Sequence, residues 1–167
     1  MDIPPILTLP DVRLRQVAAS VEVFDSAFQD VFQMLDRAMR SGPGGVGIAA
    51  PQLAIARRML VVDCTLARHA CRNHGLLYMA NPEIIESSQE KKLGREGCLS
   101  VPEWVGTVSR ARSIRVRYQD ALGTWQELTS SGFEARVIQH EIDHLDGVLF
   151  IDQVVSTADL LRRLAKP

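Results

Sequence analysis

The segment QHEIDHLDG, residues 139–147, carries two histidines four residues apart, and a glutamate directly follows the first. On an α-helix, His140 and His144 lie one turn apart and about 40° apart around the axis, so both rings can face one ion. Glu141 projects on the neighbouring side, where its carboxylate can exchange a proton with a water molecule. This H-E-x-x-H spacing predicts a hydrolytic metal site. The alternative is a polar helix face on which both histidines have only structural partners.

A catalytic metal site needs a third protein ligand and one position left open for water. One class of metalloprotease continues the motif with x-x-G-x-x-H; here Gly147 is present, but Phe150 occupies the final position. No glutamate follows Glu141, and the later acidic residues are all aspartates. We therefore expect the third ligand upstream, with Cys98 in GREGCLSVPE as the preferred residue, because a thiolate and two imidazoles form a compact tetrahedral site.

Two alternatives to this assignment remain open. A single cysteine such as Cys98 is commonly buried and inert. The segment HACRNH also brings His69, Cys71 and His74 close together in sequence, with Cys64 nearby. That segment has no apolar helix to support it, and its spacing fits no defined structural zinc pattern, so it ranks below Cys98.

The two histidines require a helix that holds them, and the pattern predicts one over residues 133–146. Ser130 or Ser131 can cap its start, and Gly147 stands where a C-terminal cap glycine belongs. Few positions of this helix are polar, so we expect it to be buried on most sides. Its apolar positions are Phe133, Val137, Ile138, Ile142 and Leu145.

The other elements are an N-terminal helix that starts after Asp25 and several short strands. MLVVD (59–63) and LLYMA (76–80) read as buried strands, and SIRVRY (113–118) turns through residues 120–123 into TWQELTS as a hairpin. The tail STADLLRRLAKP predicts a short helix. We therefore expect one α+β domain over residues 1–167, with short, mostly antiparallel strands packed around the buried H-E-x-x-H helix.

Composition supports a globular enzyme or binding domain. The chain has 167 residues, of which 46% are apolar and 23% charged, and its net charge is −1. This balance provides no basic field for nucleic acid, and no apolar run approaches the ~20 residues of a membrane span. The three cysteines are irregularly spaced, and the start of the chain resembles no targeting peptide. We expect a cytoplasmic protein without membrane or sequence-specific nucleic-acid binding.

Three segments together resemble the signature motifs of peptide deformylase, in that family's order. They are GVGIAAPQ (45–52), EGCLS (96–100) and QHEIDHLDG (139–147), and the resemblance extends from about residue 5 to residue 152. It implies an enzyme that removes the formyl group from the formyl-methionine of nascent polypeptides and releases formate. It also implies one Fe²⁺ ion per chain, for which Zn²⁺, Ni²⁺ or Co²⁺ can substitute.

The resemblance implies roles for individual residues. The metal ligands would be Cys98, His140 and His144, and the catalytic acid/base would be Glu141. Gln52 and the backbone N–H of Leu99 would stabilise the oxyanion. The substrate would pair as an added strand with Val46 and Gly47, and its methionine would enter an apolar pocket. By the same resemblance, the substrate-binding positions would be Gly45, Val46, Gly47, Gly97, Phe133, Arg136 and Val137.

Several positions depart from the pattern expected for bacterial members. Arg136 stands where that pattern is apolar, and we expect its stem to line the pocket while its charge reaches water. Gly94 replaces a larger apolar residue, and Trp104-Val105 stand where a basic residue often helps to hold the substrate. Arg110 is expected to pair with Glu96 and brace the cysteine loop. The basic tail, with Arg162, Arg163 and Lys166, is either a site of transient ribosome contact or a solvated end.

Two other functions use the same helix. The first is a zinc endopeptidase, which the missing third histidine disfavours. The second is a metal-sensing or structural site, in which Cys98 belongs to a closed shell of four ligands.

Overall fold

The computed structural model describes residues 2–163, and its architecture is α+β, as predicted. The two α-helices are α1 (Ser26–Ser41) and α2 (Gly132–Leu145). None of the helices in these residues is long and apolar enough to cross a membrane.

The strands form two sheets, and all neighbouring strands in residues 2–163 are antiparallel. The larger sheet has the order β1-β2-β3-β6-β7, and the smaller has the order β4-β5-β8. The bounds are β1 (Gly47–Ala49), β2 (Met59–Asp63), β3 (Leu76–Ser87), β4 (Lys91–Cys98), β5 (Val101–Ala111), β6 (Ser113–Gln119), β7 (Trp125–Ser131) and β8 (Leu161–Arg162). Strands β1 and β4 therefore each leave one edge unpaired.

The predicted N-terminal helix is confirmed as α1. The Asp25 side chain caps its start by accepting a hydrogen bond from the Phe28 backbone N–H at 3.0 Å. The apolar face of α1 packs in one core cluster with Met59 and Val61 of β2.

Helix α2 packs in a second core cluster with Leu60 and Val62, the alternate residues of the same strand. Successive strand side chains point to opposite faces, so α1 and α2 lie on opposite faces of the larger sheet. This explains why MLVVD is apolar throughout, since both of its faces are buried.

The ends of α2 agree with prediction in position, although not in every bond. Ser131 is the N-cap residue but makes no side-chain cap hydrogen bond, while Ser130 Oγ donates to Glu134 Oε1 at 2.8 Å. Gly147 follows the C-cap residue with φ of +73°, and a Cβ there would collide with backbone atoms of Arg15. Glycine is therefore needed where the chain leaves the helix.

The predicted hairpin of β6 and β7 is confirmed, and β2 has the predicted bounds, whereas β3 is longer than predicted. Strand β3 continues from the apolar run to Ser87 through two register shifts. Asn81 makes this irregular path possible, because its side chain hydrogen-bonds to both backbone groups of Val21 and its φ is +48°. The β4–β5 hairpin, which carries the cysteine motif, is not apparent from apolar periodicity.

The tail differs from the predicted short helix. It forms one 3₁₀ turn, Thr157–Asp159, and then strand β8, which pairs with β5 through Trp104↔Arg162 and Val105↔Leu161. The outer edge of β5 has unpaired backbone groups that a helix could not satisfy, so an extended tail is favoured. Lys166 lies outside the described residues.

Candidate active site

The predicted metal ligands meet between the end of β4 and helix α2. One ligand atom from each of Cys98, His140 and His144 can be chosen so that all three lie within 4.8 Å of one another. Cys98 Sγ is 3.3 Å from His144 Nε2. No other such group of histidine, cysteine or acidic residues occurs within residues 2–163, so these residues supply no fourth ligand for a closed structural site.

The donors fit a divalent metal ion. His140 Nδ1 lies 2.8 Å from Glu96 Oε1, and this hydrogen bond fixes the ring with Nε2 as the nitrogen available to an ion. Burial lowers the pKa of His144 well below its usual value, which keeps that imidazole neutral. Burial also disfavours charge on His140, but hydrogen bonds to Cys98 and Glu96 outweigh it and raise its pKa well above the usual value, so an ion that binds Nε2 must displace a proton from it.

Glu96 connects the metal-binding helix to two buried arginines. Its carboxylate accepts hydrogen bonds from Arg110 Nε and Nη2, both at 2.9 Å, and from Arg136 Nη1 at 2.8 Å. Burial would raise the pKa of Glu96, but hydrogen bonds from His140 and Arg110 hold it at about 2. The expected Arg110–Glu96 pair is confirmed, and Arg110 Nη1 also pairs with Asp143 at 2.6 Å. The cysteine strand and α2 are thus tied together.

The expectation that the Arg136 charge reaches water is wrong. The residue is only 8% exposed, and its guanidinium donates to Glu96, to Val108 O at 2.9 Å and to Lys92 O at 2.7 Å. These three acceptors replace the water that an exposed guanidinium would bind, so the buried charge keeps its hydrogen bonds. A Cβ on Gly94 would lie 2.7 Å from Arg136 Cζ, so the missing side chain at Gly94 makes room for the guanidinium.

Glu141 lies beside the ligands and is 3% exposed. Its Oε1 is 3.7 Å from His140 Nε2, and its Oε2 has no hydrogen-bond partner in the described part of the chain. Burial raises its pKa to about 7. Gly47 lies against this residue, since a Cβ there would be 3.0 Å from Glu141 Cγ and 2.8 Å from Val137 Cγ1. A glycine at this position lets β1 approach the helix closely.

Gln52 is held with its amide NH₂ towards the cysteine. Its Oε1 accepts a hydrogen bond from Ala49 N at 2.9 Å, and its Nε2 donates to Ser100 Oγ at 3.0 Å. The same Nε2 lies 3.7 Å from Cys98 Sγ. Gln52 and Leu99 line one cavity together with Cys98 and His140, so both predicted oxyanion donors lie near the ligands.

The cavity has a volume of about 200 Å³, and Glu141 also lines it. Gly47 of β1 and Gly97 of β4, two strands that each have an unpaired edge, both line it. The predicted substrate-binding residues that line it are Gly45, Val46, Gly47, Gly97, Phe133, Arg136 and Val137. The sequence interpretation did not include Pro43, Gly44, Arg95 and Arg163, which also line it.

The rival histidine and cysteine cluster does not form a metal group in residues 2–163. His74 instead binds Glu134, with its backbone N donating to Oε2 at 2.6 Å and Nδ1 lying 2.5 Å from Oε1. Cys64 is buried, and burial raises the pKa of its thiol to about 12. A thiol with that pKa is a poor metal ligand.

Two supporting contacts were missed, although the sequence positions of the residues that make them contain a signal. The contact of Glu96 with His140 and that of Ser100 with Gln52 both come from residues flanking Cys98 in EGCLS. Residues two apart on a strand share a face, which already places Glu96 with Cys98. Arg163 had no comparable signal, because the tail pattern reads as a helix.

Comparisons with known proteins agree on one family. Residues 3–159 match the family model described as "Polypeptide deformylase". A peptide deformylase of Methylocella silvestris is 39% identical over 168 residues, which cover 99% of this chain and 85% of that protein. The crystal structure of peptide deformylase from Thermotoga maritima has a TM-score of 0.85 and 36% identity, covering 93% of this chain and 100% of that one. A class I type b peptide deformylase from Acinetobacter baumannii, crystallised with Met-Ala-Ser bound, has a TM-score of 0.85 and 36% identity. The match covers 92% of this chain and 100% of that one.

Proposed function

Since the chain belongs to the peptide deformylase family and is a hydrolase that removes the formyl group from the N-terminal methionine of nascent polypeptides, we propose that its reaction takes place between Cys98 and helix α2. The observation that carries this proposal is the convergence of three ligand atoms within 4.8 Å, with Glu141 beside them.

The family is metal-dependent, and we propose that Cys98, His140 and His144 bind one Fe²⁺ ion per chain. One thiolate and two imidazoles also suit Zn²⁺, Ni²⁺ and Co²⁺, which can substitute. When bound, the ion supplies Lewis acidity, which lowers the pKa of water and polarises the formyl carbonyl group. Loss of activity in air by an iron-loaded sample, but not by a zinc-loaded one, would support iron.

In the proposed reaction Glu141 accepts the proton of the attacking water and delivers it to the departing amine. Its Oε2 has no partner in residues 2–163, so that oxygen is available to a water molecule. His140 cannot take this role easily, because its Nδ1 is committed to Glu96. Formate then leaves, and the peptide retains a free amino group.

The oxyanion formed at the formyl group needs donors that are already oriented. We propose the Gln52 amide and the Leu99 backbone N–H. The support for Gln52 is its fixed orientation, since Ala49 N and Ser100 Oγ hold both ends of the side-chain amide.

We propose that the peptide lies extended between the free edges of β1 and β4, pairing with Val46 and Gly47 and passing Gly97. Its methionine side chain would enter between Phe133, Val137 and the stem of Arg136. The binding of Met-Ala-Ser by the related Acinetobacter baumannii protein supports a peptide in this groove.

The whole chain, residues 1–167, is proposed to act as one catalytic domain in the cytoplasm. A transient ribosome contact through the basic tail stays a prediction. Strand β8 engages Arg162 in the smaller sheet, so such a contact would have to form beside that strand.

Formate release from formyl-Met-Ala-Ser tests the proposal, with anaerobically purified protein loaded with Fe²⁺. Cys98→Ala should lose metal and turnover together, whereas the matched control Cys71→Ala should retain both. Glu141→Ala should keep its metal and lose turnover by about 10²–10⁴-fold. Full activity of Cys98→Ala, or of Glu141→Ala, would contradict the assigned roles.

A further inference from the structure

Arg163 reaches the rim of the active-site cavity from the end of the chain. Strand β8 positions it, because the Arg163 backbone N donates to Glu103 O at 2.6 Å directly after the pairing of Arg162 with Trp104. The two consecutive arginines have different surroundings. Arg162 Nη2 lies 3.8 Å from Glu103 Oε2, whereas the Arg163 side chain lines the cavity.

The Arg163 guanidinium occupies the space beside Gly97. A Cβ on Gly97 would lie 2.6 Å from Arg163 Nη2 and 3.3 Å from Val105 Cγ1. Gly97 and Val105 are paired across β4 and β5. The guanidinium therefore lies against the wall of the groove next to Cys98, in a place that only a glycine leaves open.

The charge at this rim is not balanced by the protein. Within residues 2–163, neither Arg163 nor its neighbour along the rim, Arg95, forms an ion pair with a carboxylate. The two acidic residues that line the cavity, Glu96 and Glu141, are both buried, and Glu96 already binds Arg110 and Arg136. The exposed carboxylate of Glu103 pairs with Arg162 and does not line the cavity, so an anionic group that enters the groove meets two exposed cations.

We propose that Arg163 binds a carboxylate of the peptide substrate, downstream of the formyl-methionine. The proposal rests on the function above, in which the formyl group lies at the buried end near Glu141. Arg163 is exposed and lies beside Gly97, which the proposed peptide passes on its way out of the groove, so it would meet a residue downstream of the formyl-methionine. The carboxylate can belong to an acidic side chain at the second or third residue, or to the C-terminus of a short peptide.

The test compares formyl-Met-Ala-Ser-amide with three single changes: the free acid, an aspartate at the second position, and an aspartate at the third. KM and kcat are measured for the native chain, Arg163→Gln and the matched control Arg162→Gln. A carboxylate should lower the KM of the native chain about twofold to fivefold at low salt, as exposed ion pairs do. Arg163→Gln should abolish that preference with kcat unchanged, Arg162→Gln should retain it, and Arg163→Lys should restore part of it.

The peptide that responds identifies the source, since a response to the free acid alone indicates the terminal carboxylate and a response to aspartate indicates a side chain. Equal KM for amide and acidic peptides in the native chain would overturn the proposal, as would equal loss in the two glutamine variants. Titration calorimetry of the deformylated peptides Met-Ala-Ser and Met-Ala-Ser-amide needs no turnover. It therefore tests the role of Arg163 even if the protein releases no formate. A lack of formate release would count only against the proposed function.

Discussion

Gly94 and Arg136 should behave as a single unit in unfolding experiments. A methyl group at residue 94 would lie 2.7, 2.8 and 2.9 Å from three guanidinium atoms of Arg136. Carbon contacts are normally about 3.5–4.0 Å, so the side chain must move by roughly 0.7 Å. Three hydrogen bonds of 2.7–2.9 Å hold the guanidinium in place, and this movement would stretch them.

The expected cost of Gly94→Ala is about 2 kcal/mol of unfolding free energy, within the range for overpacking of a rigid site. In an Arg136→Leu background the side chain ends before the guanidinium position, and the clash is removed. Alanine should then stabilise the strand by about 0.5 kcal/mol, because glycine is the more flexible residue when unfolded. The coupling free energy between the two sites is therefore about 2.5 kcal/mol.

Urea denaturation of the native chain, the two single variants and the double variant would measure this coupling. All four proteins should be compared at equal metal content, because a bound ligand adds to stability. If Gly94→Ala changes the unfolding free energy equally in both backgrounds, to within about 0.5 kcal/mol, the steric argument is wrong. Stabilisation of the native chain by Gly94→Ala would refute it as well.

Three further outcomes are expected. Ser100→Ala should lower kcat about 10-fold with KM unchanged, since losing a residue that orients a site side chain typically costs 10–100-fold in activity. A kcat equal to that of the native chain would exclude Ser100 from orienting Gln52. Gly47→Ala should lower kcat/KM about 100-fold while the circular dichroism signal of the helices stays unchanged, because its Cβ would displace Glu141. Kinetics like those of the native chain would show that β1 can move away from the helix. Burial would raise the pKa of Asp63, but hydrogen bonds from Thr65 and the nearby arginine hold it below its ordinary value. The ionised Asp63 carboxylate therefore stabilises the fold above about pH 4, and this stabilisation is lost as the pH falls further. The Tm difference between the native chain and Asp63→Asn should shrink below that pH. A difference that stays constant would contradict the lowered pKa of Asp63.

The sequence predicted best what depends on local spacing. The H-E-x-x-H turn places His140 and His144 on one helix face whatever surrounds them. The run MLVVD is apolar at every position, which is enough to predict a strand buried on both faces. Ligand chemistry and the lack of a downstream candidate favoured Cys98 as the third ligand, but the alternatives stayed open because nothing in local periodicity shows that the end of β4 meets α2.

What the sequence did not predict depends on contacts between distant segments. Arg136 was expected to reach water because an arginine in an apolar pattern usually does so. Its actual partners are Glu96 and two backbone carbonyl groups, one on each strand of a hairpin that apolar periodicity did not reveal. The tail likewise has helical spacing, yet it is extended because it pairs with the edge of β5 that β4 leaves open.

The free edges of β1 and β4 have a consequence for when the enzyme can act. A peptide bound between two strand edges must offer its own backbone N–H and C=O groups, so it cannot be helical or already paired in a sheet. During synthesis, the first residues of a chain satisfy this condition only until they fold or dock elsewhere. Deformylation in the proposed manner is therefore a race against folding, and proteins whose N-terminal segments form stable structure fastest should retain the most formyl groups when the enzyme is scarce.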